Sequence, residues 1–330
     1  MPRRRTRPAH RRLLGIPANK APTASTQTAI WAEEAYYAFG FGNANKLTPW
    51  NMKQFLFIRP STKSTLVATA LNIDVPVDKW KGTPEPASTD VVNAVKSSSN
   101  PEATIGILGN EVYDSNRGKG INVLAFKAFG EDRAYYPDST STSFDKQNLR
   151  DGHYTLWSPT VYIAAVDAGN VPTSPSVKYV TDLVLGNATT APDGGPAIDG
   201  LATVVEVGLT PTCAMHVSRT QDGGDLATYA PRADCTCYFL SKISGATGTP
   251  TGCTACTTSA SCTGAAAACV HGFCEPDASI TPFTGDAGAC FSGTPTTNSE
   301  IMNACTNAQP VDKAVDLSQV DVDGGLAPLP

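Results

Sequence analysis

The chain has 330 residues, enough for two domains or one large one. Charged residues make up 17 % and the net charge is −5, which excludes general nucleic-acid binding, because phosphate backbones call for clustered Lys and Arg. No apolar run approaches the roughly 20 residues of a membrane helix, and abundant Gly, Pro, Ser, Thr and Ala suit an exported, turn-rich protein better than a cytosolic helical enzyme.

The opening carries one basic cluster, Arg3, Arg4, Arg5, Arg7, Arg11 and Arg12. It reads as a nucleic-acid arm, as the start of an export signal, or as a disordered segment. A signal needs an apolar stretch next, and only Leu13 and Leu14 precede Gly15, Ile16 and Pro17, so no signal peptide is visible. Residues 1–27 are therefore expected to form a disordered basic N-terminus.

A helix is expected over Thr28–Phe39, closed by Gly40. Gln54–Arg59 is a buried-strand candidate, followed at once by a helix over Ser64–Leu71. Ser88 and Thr89 are placed to cap a helix carrying Val91, Val92 and Val95. Thr104–Leu108 and Ile121–Phe129 read as strands, and Tyr154–Val166 as a bent strand region with Pro159 at the bend. Ser174 and Pro175 supply an N-cap and a first-turn proline for a helix that Gly186 closes. This alternation predicts an α/β layer around a mixed sheet. After a linker, Ala202–Gly208, Met215–Arg219 and Cys235–Leu240 read as strands, with a turn at Asp222-Gly223-Gly224. Residues 245–300 have too little apolar bulk for a core of their own, so cross-links must shape them.

All ten cysteines lie between Cys213 and Cys305: Cys213, Cys235, Cys237, Cys253, Cys256, Cys262, Cys269, Cys274, Cys290 and Cys305. An even, clustered count reads as disulfides and implies an oxidising, extracytoplasmic compartment. The C-x2-C pair with His216 and His271 nearby also admits zinc, but no second close pair has matching spacing. Asp321-Val322-Asp323-Gly324-Gly325 is a fragment of a calcium-loop pattern without the full ligand set, in what reads as a flexible end over 311–330.

The elements of residues 28–188 together resemble the second lobe of phosphate-type (type 2 periplasmic) solute-binding proteins. The resemblance rests on AEEAYYAFGFG (32–42), LTPW (47–50), FIRPSTKST (57–65), ATIGILG (103–109), INVLAFKAFG (121–130), YTLWSPTVYI (154–163) and VKYVTDLVLG (177–186), in that order. It covers about half the chain. It implies an α/β mixed-sheet lobe over 28–188 with the first lobe largely missing; composition and cysteine content add a linker over 189–201 and a cysteine-rich, mostly irregular or β region over 202–310. Where the family shows Ser-Gly-Thr, this chain has Lys63-Ser64-Thr65, and Ser64 replaces the glycine that lets backbone approach an anion closely. VHGFCEP (270–276) loosely resembles the ends of small extracellular modules such as those like epidermal growth factor.

The sharpest ligand candidate is the turn after Arg59. A helix N-terminus presents free N–H groups and the positive end of its dipole to an anion. Arg59 would add a bidentate fork, Ser61, Thr62, Ser64 and Thr65 hydroxyl donors, and Lys63 a point charge. The plain alternative is an ordinary helix cap with a surface Arg and Lys. A second polar stretch, Tyr135, Tyr136, Asp138, Ser139, Thr140 and Ser141 with Asp151-Gly152-His153-Tyr154, either lines a cleft or is a solvated loop. No G-x-S-x-G or comparable nucleophile motif accompanies His153 and Asp151. The expected function is non-catalytic, cofactor-free binding of a small anion such as phosphate, with a transporter or envelope partner. The alternative is an envelope interaction module that keeps the fold without a ligand.

Overall fold

The computed structural model describes residues 25–160, 163–187, 190–191, 193–195, 198–231, 233–264, 268–275, 290–318 and 325–330, and the backbone of 10–15 and 17–18. In chain order the first elements are β1 (His10–Gly15), β2 (Pro17–Ala18), β3 (Ala29–Trp31), α1 (Ala32–Phe41), β4 (Leu56–Ile58) and α2 (Ser64–Asn72). Then come β5 (Thr83–Pro84), α3 (Ser88–Lys96), β6 (Ile105–Gly106), β7 (Leu108–Gly109), α4 (Asn110–Asn116), β8 (Asn122–Val123), β9 (Ala125–Lys127), β10 (Ala134–Tyr135) and α5 (Gln147–Asp151). The second half holds β11 (Trp157–Thr160), α6 (Pro175–Val184), α7 (Gly200–Glu206), β12 (Thr210–Pro211), β13 (Val217–Ser218), β14 (Ala227–Thr228) and α8 (Thr236–Lys242). It ends with β15 (Ala268–Val270), β16 (Phe273–Glu275), α9 (Asn298–Met302) and β17 (Pro310–Val311). The chain is mixed α/β with a disulfide-rich C-terminal region.

These elements divide into two compact units. The sheet unit comprises Leu13–Ser158, Arg219–Ala227 and Pro282–Pro330; the cystine unit comprises Met1–Arg12, Pro159–Ser218 and Thr228–Thr281. The division differs from a lobe over 28–188 followed by a cysteine-rich region over 202–310. Helix α6 goes with the cysteines, and the chain around Cys290 and Cys305 goes with the sheets.

In the sheet unit, a five-stranded sheet runs β5-β4-β6-β2-β8. Its β5, β4 and β6 are parallel, and β2 is antiparallel to β6 and β8. Segments between 56 and 123 thus share one sheet. A four-stranded sheet runs β17-β10-β9-β3, with Ala29, Ile30 and Trp31 parallel to Ala125, Phe126 and Lys127. Strands β3, β8, β9 and β10 bury Ala29, Val123, Ala125 and Ala134 against Val91, Val92 and Val95 of α3 and Tyr113 of α4. Those valines fall at i, i+1 and i+4, one face of a helix. Asp90 accepts the Ala87 amide and so caps α3.

In the cystine unit a smaller core joins Leu201, Ala202 and Val205 of α7 to Tyr238 and Phe239 of α8, with Ala214 and Cys235. Four disulfides reinforce it: Cys213–Cys235, Cys237–Cys253, Cys256–Cys269 and Cys262–Cys274. The hairpin β15–β16 turns through His271 and Gly272, both at positive φ. The fifth bridge, Cys290–Cys305, lies in the sheet unit.

Several sequence expectations are corrected. Residues 10–15 and 17–18 of the opening segment are strands, because their backbone pairs with Gly109, Leu108 and Val123 in the sheet unit and with Pro211 and Thr210 in the cystine unit. The helix expected from Thr28 starts only at Ala32; Ala29 and Ile30, fully buried, pair as a strand first. Residues 202–208 are largely helix, not strand: Leu201, Val204 and Val205 follow i, i+3, i+4 spacing, and Asp199 accepts the Ala202 amide as N-cap. Residues 235–240 are also helical, with Asp234 accepting the Thr236 amide ahead of α8.

The expected flexible end is docked where it is described. Pro310 and Val311 pair with Tyr135 and Ala134, Lys313 binds Glu34, and Ala327 bonds to Tyr36 and Tyr37. The calcium-loop fragment lies, apart from Gly325, outside the described residues, as do Arg3, Arg4, Arg5 and Arg7. No helix among the described residues is long and apolar enough to cross a membrane.

Candidate functional site

The turn at 59–65 leaves the carboxyl end of β4, which lies between parallel β5 and β6. Ligands of open α/β sheets gather at such strand ends. Lys63 donates its amide to Pro60 O (2.9 Å), which closes a tight turn, and stands in extended conformation as the N-cap of α2. No side chain caps the helix. Leu66 and Val67 donate back to Lys63 O, so the amides of Ser64 and Thr65 open the helix ahead of the first internal bonds. Ser61, Thr62, Lys63 and Ser64 are exposed and Thr65 is half-buried. Thr65 Oγ1 itself is buried and has no hydrogen-bond partner.

Arg59 behaves differently from its neighbours. It is 7 % exposed, and its Nη1 donates to Glu85 O at 3.0 Å while the Glu85 amide donates to Ile58 O at 2.8 Å. This clasp joins the ends of β4 and β5 and consumes part of the guanidinium fork. Among the described residues neither Arg59 nor Lys63 is paired with a carboxylate. The helix dipole and the exposed Lys63 charge therefore have the same sign at the turn.

The polar stretch 135–154 is mixed: Tyr135, Tyr136, Asp138 and His153 are buried, Ser139 and Thr140 are half-buried, and Ser141 is exposed in a loop. Asp138 is fully buried; it receives Arg117 at 2.7 Å and Lys146 at 3.0 Å, and Asp114 pairs with the same two cations. Two carboxylates facing two cations make a set neutral in charge. Burial disfavours the Arg117 charge, but Asp138, Tyr113 and Asp114 outweigh it and hold the guanidinium above its ordinary pKa. Burial pushes Tyr113 up to about 12. Arg117 also lies 4.1 Å over the Phe144 ring.

His153 is buried, with Nε2 2.7 Å from Ala304 O, so Nε2 carries the proton and donates. Its Nδ1 is buried without a partner. His216 stands 3.6 Å from Asp234, and His271 packs against the Tyr238 ring. The sulfurs of Cys256, Cys262 and Cys274 come close together, but all three are in disulfides, which removes the thiolates that zinc requires.

One groove of about 660 Å³ occurs in the cystine unit between α6 and the segment 163–172. Ile163, Val177, Val180 and Leu185 line it, and the Lys178–Asp182 ion pair spends its charges internally. Its apolar lining does not suit a small anion. Sequence reasoning missed it because exposed valines on an amphipathic helix read as core.

No family model matches this chain, and no curated protein matches it. Among solved structures it is similar to a possible phosphate binding protein from Planctomyces limnophilus DSM 3776 (14 % identity, TM-score 0.37, covering 46 % of this chain and 52 % of that one). It is also similar to PstS from Borrelia burgdorferi (14 %, TM-score 0.35, 48 % and 58 %). A third is a chain solved with bound phosphate from Clostridium perfringens (12 %, TM-score 0.40, 63 % and 72 %). This chain spans little more than half the length of the first two.

Proposed function

We propose that this chain is an extracytoplasmic solute-binding protein of the phosphate or small-anion type and that it binds without catalysis. The observation that supports this is the turn at the amino end of α2, where Ser61, Thr62, Lys63 and Ser64 are exposed and, among the described residues, neither Lys63 nor Arg59 has a carboxylate partner. Hydroxyls, first-turn amides and two cations of one sign form the donor set that a tetrahedral oxyanion requires. Ten cysteines paired as five disulfides support an oxidising compartment.

Calorimetric titration of the full chain with inorganic phosphate and with sulfate tests the reading. Binding heat is expected with one of them, and both Lys63→Ala and Arg59→Ala should weaken binding by about tenfold or more, as for a charged hydrogen bond. Absence of heat with either anion would end the proposal.

The Arg59–Glu85 clasp favours a second reading, an envelope interaction module that keeps the fold without a ligand. In that case Arg59→Ala lowers the melting temperature and no anion raises it.

A further inference from the structure

Helix α1 contains a glycine, Gly40, near its carboxyl end, where glycine costs about 1 kcal/mol relative to alanine. The reason lies outside the helix. A β-carbon at Gly40 would collide with Leu329 Cδ2, so the missing side chain leaves a seat for Leu329 beside Val75. Tyr36 and Tyr37, both buried, flank this seat. Tyr36 Oη donates to Ala327 O at 2.7 Å, and the Ala327 amide donates to Tyr37 Oη at 3.0 Å. The two phenols thus hold both backbone groups of one residue. Lys79 Nζ donates to Pro330 O at 2.9 Å.

The segment so held is Leu326-Ala327-Pro328-Leu329-Pro330. Its prolines restrict the chain to extended conformations and carry no N–H that the groove would have to satisfy. Backbone clamping by aromatic hydroxyls, one apolar seat and a lysine on the following carbonyl together make a peptide-recognition pattern. It reads extended shape and one leucine rather than a long sequence.

We propose that the tyrosine-lined groove over Gly40 is a binding site for short apolar peptides of the Ala-Pro-Leu-Pro kind, filled in this state by the chain's own 326–330 segment. A covalently attached ligand competes at an effective concentration in the millimolar range. The unaltered chain should accordingly bind an added peptide poorly, and loosening the attached segment should open the site.

The probe is a fluorescein-labelled peptide, Gly-Gly-Leu-Ala-Pro-Leu-Pro, followed by anisotropy against the full chain. Leu329→Asp should bind it at least tenfold more tightly than the unaltered chain. Adding Tyr36→Phe and Tyr37→Phe to that variant removes both clamping hydroxyls with little change of volume, and should weaken binding about tenfold. A labelled peptide with Asp in place of its second Leu should not bind. The proposal fails if Leu329→Asp melts cooperatively and gains no affinity, or if its affinity is indifferent to the two hydroxyls.

Discussion

His153 shows how one residue's environment overrides its usual chemistry. Desolvation lowers its pKa, opposed more weakly by the Ala304 carbonyl and by Asp151, so the folded protein holds the imidazole neutral. The unfolded chain protonates it near the ordinary value of about 6.5. As pH falls below that value the unfolded state gains a proton that the folded state refuses, and stability drops until the lowered folded pKa is passed. Melting temperature measured from pH 8 to pH 5 should therefore fall with acidification, and more shallowly in His153→Gln, which keeps a donor for Ala304. Equal slopes would show that His153 does not carry the effect. The sequence displayed His153 beside Asp151 but not the Ala304 carbonyl, 151 positions away. Arg59 was legible as a strand-end cation, whereas its bond to Glu85 O was not, because backbone acceptors carry no sequence signature. Asp138 read as a polar loop residue, since only tertiary packing brings Arg117 and Lys146 around it.

Among the elements, α6 and α7 make an instructive pair. Helix α6 was legible because Ser174 and Pro175 give a local start signal, and Ser174 does accept the Val177 amide. Helix α7 hid behind Val204 and Val205, whose β-branching favours strands when taken residue by residue. Its start is set by Asp199, which caps Ala202 and also accepts the Tyr238 hydroxyl from α8. One carboxylate therefore fixes both the beginning of α7 and its packing partner. Asp199→Ala should cost about 1–2 kcal/mol, the sum of a lost cap and a lost side-chain hydrogen bond. Asp199→Asn, which keeps an acceptor, should cost less. Thermal melts of the two variants decide it, and a fully stable Asp199→Ala would contradict the assigned role.

At the scale of the molecule, the mixed α/β class, the helices α2, α3 and α6 and the clustering of cysteines could be read from the chain, but the helices α7 and α8 and the division into units could not. Strand β17 joins the sheet unit by pairing with β10 from more than 170 positions away, and local pattern says nothing about so distant a partner. The two units differ in what holds them. The sheet unit has a valine- and tyrosine-rich core with one disulfide; the cystine unit has the smaller core and four. Each of those four closes a loop of 12 to 22 residues, worth roughly 3 kcal/mol apiece in the chain-entropy account. Together they exceed what a core of that size supplies alone. All four tryptophans, Trp31, Trp50, Trp80 and Trp157, belong to the sheet unit. Mild reduction should thus remove the helical circular dichroism of α7 and α8 while tryptophan emission stays at its native wavelength. If emission shifted red in step with the loss of helix, the sheet unit would depend on the cystine unit for its fold, and the separate accounts of their stability would be wrong.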